Sequence, residues 1–199
     1  MPTFREVQYY LAGLWLLIRM DPRGFSYLDI SDRGVMRSFW AILWCLPPIG
    51  LSWLWWQHAY LAAMPPDTSV GFAFFFRLGL VEAANWLVPL VLAGLLLLVF
   101  RFGEKFAPVV VTVNWLGLPL SYINGLLIAV IALLPDADGL VAVLWLILMF
   151  ALVFALARIL RMICGSHPLF VGALTLVLMV PSMVLTDFLQ RFLGIYPPT

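Results

Sequence analysis

Apolar residues in this chain come in long runs with no alternation of period two. Five stretches stand out, at residues 39–62, 80–100, 106–134, 140–163 and 169–193, and the only charged side chains inside them are Glu82, Arg158, Arg161, Asp187 and Arg191. A helix rises 1.5 Å per residue, so about 20 apolar residues cross a ~30 Å hydrocarbon core. Each stretch is long enough, and no strand-like alternation competes with the helical reading. The separators, at 64–69, 101–105, 135–139 and 165–168, are short and rich in Pro, Gly and charge, as turns between antiparallel helices are. The pattern predicts an all-α, polytopic bundle of five transmembrane helices.

The first 38 residues follow a different pattern. They hold Arg5, Arg19, Arg23, Arg33, Arg37, Glu6, Asp21, Asp29 and Asp32, nine of the chain's charges, around an apolar run, 9–18, that is too short to span. No small-residue cleavage site follows that run; the sequence continues Arg19-Met20-Asp21-Pro22-Arg23. Residues 4–20 are expected to form an amphipathic helix in the membrane interface, with Tyr9, Tyr10 and Trp15 at headgroup level. The competing expectation packs the same helix on its own membrane domain. Residues 21–24 read as a turn, and Ser31 and Asp32 as N-caps of a following helix. Two parts result: an N-terminal cytoplasmic segment, 1–38, and a membrane domain, 39–199. The aromatic patch 72–76 is expected at the interface ahead of the second span.

Composition narrows the function classes. With 64% hydrophobic and 11% charged residues, the chain is neither a soluble globule nor disordered. Its 11 Lys+Arg against 10 Asp+Glu leave no basic field, so a nucleic-acid partner is not expected. Cys45 and Cys164 lie on different spans and read as small buried hydrophobes. Charge also orients the chain. With the N-terminus inside, the cytoplasmic pieces carry Arg5, Arg19, Arg23, Arg33, Arg37, Arg101, Lys105, Arg158 and Arg161, leaving only Arg77 and Arg191 outside. The positive-inside rule therefore predicts a cytoplasmic N-terminus and a periplasmic C-terminus. Ten arginines against one lysine are the usage of a GC-rich bacterium, so the expected location is a bacterial inner membrane.

Polar side chains at membrane depth are costly and are the candidates for function. Glu82 and Asn85 stand three apart near the outer end of the second span, with Pro89 four further on. Glu82 suits a proton, a cation, a partner arginine or the headgroup layer. The third segment is longer than the core it crosses and must tilt or break, with Gly117-Leu118-Pro119 as the natural break. Asn114, Gly117, Ser121 and Asn124 are spaced 3, 4 and 3 and share one face. That face suits helix packing or, alternatively, the lining of a polar path. Pro47-Pro48 interrupts the first span and should be buried against neighbouring helices. Asp187 and Arg191, at i,i+4, can pair. Arg158 and Arg161 close the fourth span where cations suit both the helix dipole and anionic lipid headgroups. Ala151 and Ala155 offer a small-residue contact there.

His58 is the lone histidine in a span, too little for a pigment site, and Cys164, Ser166 and His167 are too crowded along one turn to form a nucleophilic triad. No zinc-protease, P-loop or dinucleotide fingerprint occurs. No catalytic residue, cofactor or metal is therefore expected. The layout resembles the Ypt-interacting-protein (Yip) domain family, through the 9–18 stretch, the Asp21-Pro22-Arg23 turn and the entry Arg37-Ser38-Phe39-Trp40. The resemblance implies five closely spaced spans behind a cytoplasmic N-terminal region, and a role in membrane organisation through protein partners. The expected function is a non-enzymatic scaffold, assembly factor or accessory subunit. Its partners would be the bilayer and other membrane proteins or further copies of itself, with the N-terminal segment as the docking element. The alternative is a small transporter or channel component, with Glu82, Asn85, Asn114 and Asn124 along a path between the second and third spans.

Overall fold

A computed structural model describes residues 2–165 and 167–196. Helix α1 (Phe4–Ile18) opens on a capping box: the Thr3 hydroxyl accepts from the Glu6 N–H, and the Glu6 carboxylate accepts from the Thr3 N–H at 2.7 Å. Val7, Tyr10, Leu14 and Leu17, spaced 3, 4 and 3, form its buried stripe. That stripe packs on the bundle, against α5 and α6, while Phe4, Tyr9 and Trp15 face outward. Tyr10 therefore departs from the expected headgroup position: it is 7% exposed, with its ring 4.6 Å from that of Trp115.

The Asp21 carboxylate caps the 3₁₀ turn Pro22–Tyr27 by accepting from the Arg23 N–H at 3.0 Å. This turn folds back on α1 where Gly13 meets Gly24, and a Cβ on either glycine would collide with the other segment. Ser31 caps the short α2 (Asp32–Ser38), its hydroxyl accepting from the Gly34 N–H at 3.2 Å. An Arg37–Glu6 ion pair at 2.6 Å ties α2 to α1.

The five long helices follow: α3 (Ala41–Ala62), α4 (Phe72–Val99), α5 (Phe106–Leu133), α6 (Asp138–Cys164) and α7 (Pro168–Phe192). All five are long and apolar enough to cross a membrane. The second begins eight residues earlier than its hydropathy suggests. Nothing after Gly71 breaks the helix, so the aromatic patch 72–76 becomes its first turns, with Phe74 buried. The expected break at Gly117-Leu118-Pro119 does not occur either, and α5 runs through it. Likewise α3 is continuous across Pro47-Pro48. Packing accommodates the prolines: Pro48 is buried against Gly125 of α5, where any side chain would strike it, while Pro47 faces outward.

Helix α5 is the centre of the fold. It touches α1, α2, α3, α4 and α6, and Val109, Val110, Val111 and Trp115 on it are almost fully buried. The closest helix pairs are not neighbours in sequence: α3 packs on α5, and α4 on α7. Helix α6 is peripheral. Apart from Val141 its buried residues are confined to Leu156–Cys164; Ala151 faces outward and Ala155 is half-buried, so the small-residue pair lies on the outer side of α6.

At the opposite end from α1, a second cluster of Phe74, Leu78, Val81 and Ile195 holds the tail. Gly194 takes φ +65° in a Schellman-type stop, with the Ile195 N–H on the Gln190 carbonyl at 3.0 Å. Trp56 Nε1 then donates to the Ile195 carbonyl, and Arg77 to the Leu193 carbonyl, both at 2.9 Å.

Glu6 carries a testable pH dependence. The Thr3 N–H first, and then the Arg37 guanidinium, hold its carboxyl below the ordinary value of 4.5. A depressed folded pKa stabilises docking of α1 above the ordinary value and loses that contribution as pH falls through the depressed one. Limited proteolysis within residues 1–31 should therefore accelerate as pH is lowered below 4.5, and Glu6→Gln should show little of that acceleration.

Candidate functional site

A hydrogen-bonded polar cluster inside the bundle is centred on Asn114, which is 2% exposed on α5. Its Nδ2 donates to the Ser38 hydroxyl at 2.8 Å, and its Oδ1 accepts from Trp86 Nε1 at 2.9 Å. Ser38 in turn donates to the Val35 carbonyl at 2.7 Å. This order fixes the amide orientation: the Ser38 proton is committed to Val35, and an indole can only donate. One asparagine thus joins α2, α4 and α5 through a chain of hydrogen bonds. Neither Ser38 nor Trp86 stands out in the sequence, because a serine at the start of an apolar run and a tryptophan among apolar residues look like ordinary interface residues.

Asn85 joins α4 to α7. Its Nδ2 donates to the Thr186 hydroxyl at 2.7 Å, and Thr186 donates to the Ser182 carbonyl at 2.7 Å. Thr186 can therefore only accept from the amide, and Asn85 must turn Oδ1 away, where it is buried without a hydrogen-bond partner among the described residues. Asn124 ties α5 to α6 by accepting from Trp145 Nε1 at 3.1 Å. Ser121 donates to the Leu118 carbonyl of its own helix at 2.9 Å.

The residues expected to share one α5 face thus serve different neighbours. Asn114 reaches α2 and α4, Asn124 reaches α6, and Ser121 donates to its own helix with Cys45 of α3 beside its hydroxyl. The structure does bring Glu82, Asn85 and Asn114 together. With Trp86 and Gly117 they line a cavity of about 190 Å³ between α4, α5 and α7. This space exists because α4 packs on α7 and only lightly on α5. Asn85 and Asn124 line a larger, mainly apolar groove of about 560 Å³, together with Trp145, Ser182 and Thr186. Glu82 is half-buried and makes no ion pair among the described residues, and the otherwise unpartnered indole N–H of Trp53 faces its carboxyl.

The remaining candidates are spread widely. Asp187 and Arg191 pair at 3.0 Å, and Arg191 lies 4.2 Å over the Tyr196 ring. His58 is exposed, with its ring 5.9 Å from Trp55. Cys45 and Cys164 are buried free thiols, His167 packs on Phe102, and Ser166 lies outside the described residues. Arg158 and Arg161 line a pocket where α6 turns into α7. Among the described residues no group of His, Cys, Asp and Glu could hold a metal ion. Comparison with protein families, with curated proteins and with solved structures finds no match.

Replacing Asn114 by Leu should destabilise the bundle by about 1–3 kcal/mol, because it leaves the Trp86 indole and the Ser38 hydroxyl without their shared partner. A double-mutant cycle of Asn114→Ala with Trp86→Phe, read as unfolding midpoints in lipid nanodiscs, should show coupling. Strict additivity would mean that the hydrogen bond contributes nothing.

Proposed function

We propose that this chain is a non-enzymatic integral membrane protein that acts as a scaffold, assembly factor or accessory subunit of a membrane complex. The observation that carries this reading is the use made of the intramembrane amides. Asn85, Asn114 and Asn124 each hydrogen-bond a side chain on another helix, which is how polar residues glue transmembrane helices together. The Yip-like layout fits the same role. In this reading the chain sits in a bacterial inner membrane with its N-terminus cytoplasmic.

The docking element is the outer face of α1, where Phe4, Tyr9 and Trp15 are 61%, 54% and 60% exposed. Its inner face belongs to the core, so removing residues 1–30 would disturb the bundle as well as any docking. Point changes on the outer face separate the two effects. Tyr9→Ser with Trp15→Ser should leave the melting temperature within a few degrees of wild type and lose proteins that co-purify in gentle detergent. An unchanged set of co-purifying proteins would count against α1 as the docking face.

A second reading, a small transporter or channel component, is favoured by the cavity between α4, α5 and α7 and the Glu82 carboxyl lining it, which has no ion pair among the described residues. It predicts ion or solute flux in proteoliposomes that Glu82→Gln reduces at least tenfold. Absence of flux across a panel of protons, alkali cations and small amines would leave the scaffold reading alone.

A further inference from the structure

Where α6 turns into α7 the bundle carries an open pocket of about 410 Å³. Arg158, Arg161 and His167 line it, together with the apolar side chains of Phe154, Ala157 and Val171. The 27 residues of α6 make a helix of ~40 Å, some 10 Å longer than the hydrocarbon core. Centred on that core, α6 places Arg161 at the hydrocarbon boundary and Arg158 about one turn inside it. A guanidinium carries five N–H donors and cannot shed its charge. Yet neither arginine has an ion pair or a hydrogen bond among the described residues. The contact recorded for Arg158 is with the Phe154 ring, 5.2 Å from its centroid. The acidic residue of the neighbouring turn, Glu104, is paired with Lys105 at 3.1 Å. Helix α7 begins at the same place without a side-chain cap among the described residues, and its positive dipole end adds to the two arginines.

We propose that this pocket binds the headgroup phosphate of an anionic phospholipid, held by Arg158 and Arg161, with an acyl chain lying along Phe154, Ala157 and Val171. Two arguments select a lipid over a soluble anion. With α6 so centred, Arg158 stands inside the hydrocarbon boundary, where a phosphate arrives most readily on an apolar tail, and apart from the two arginines and His167 the pocket is lined by apolar residues. A planar fork on a phosphate also suits arginine better than lysine. The site is separate from the amide seam and from the outer face of α1, so it stands or falls independently of the scaffold reading.

The test uses the full-length protein reconstituted with equal phosphatidylglycerol and phosphatidylcholine, with retained lipid counted by native mass spectrometry. Phosphatidylglycerol should be retained in preference to phosphatidylcholine. Arg158→Gln and Arg161→Gln should each lower that preference about fivefold, and the double variant further. Arg158→Lys, which keeps the charge and loses the fork, should fall between wild type and Arg158→Gln. It also carries the test if the glutamine variant does not fold. Arg101→Gln, at the same end of the bundle and outside the pocket, should leave retention unchanged. Equal retention of the two lipids, wild-type retention by the double variant, or displacement of the lipid by inorganic phosphate alone would overturn the proposal.

Discussion

The interior of a bilayer offers no water to a polar group, so an amide, hydroxyl or indole left there without a partner within the protein is costly. Asn114 meets that demand with two partners, accepting from Trp86 and donating to Ser38, whose own proton goes on to the Val35 carbonyl. Because each donor in this chain has one available acceptor, the arrangement has a single register. That fixes where α2 and α4 lie against α5. Thr112 and Thr175 solve the same problem locally, donating to carbonyls of their own helices. They contribute no link between helices, which is why the amides matter more than the hydroxyls for the arrangement of the bundle.

Prolines and glycines shape the surfaces that the amides then join. Pro48 fits against α5 only because residue 125 is glycine. At the N-terminal end, Gly13 and Gly24 let the 3₁₀ turn lie directly on α1, bringing α2 to the place where Ser38 reaches Asn114 and Arg37 reaches Glu6. Small residues thus bring backbones close, and polar side chains set the register once they are close. The same logic leaves gaps. Pairing α4 with α7 opens the cavity beside Glu82, and a polar remainder, the Asn85 oxygen and the Glu82 carboxyl, stays near it.

The two ends of the bundle are finished differently. One is covered by α1, the 3₁₀ turn and α2, an amphipathic layer with its own apolar stripe. The other is closed by the tail after α7, where Trp56 and Arg77 bind the carbonyls of the last turn. Arg77 and Arg191, the two cations assigned to the outer side, both have partners: a backbone carbonyl for the first, Asp187 and the Tyr196 ring for the second. Arg158 and Arg161, at the opposite end, have none of that kind among the described residues.

Helix number and type were legible from residue order because they depend on properties that add along a chain. An apolar run of sufficient length has one stable form in a bilayer, and Asp21 and Ser31 mark their turn and helix starts by chemistry that acts over two or three residues. The i,i+4 pairing of Asp187 with Arg191 was readable for the same reason. The start of α4 was not, because hydropathy falls at Arg77 while the helix continues through it. Nor was the course of α3 and α5 through their prolines, which depends on what packs beside them.

The partners of the site residues were beyond reach altogether. Asn114, Ser121 and Asn124 share a face by spacing, yet their bonds go to α2 and α4, to a backbone carbonyl, and to α6. Spacing along one helix says which side chains point together, but it is silent on which helix arrives to meet them. That was settled by long-range packing, α3 on α5 and α4 on α7, and packing depends on the summed shapes of several helices at once.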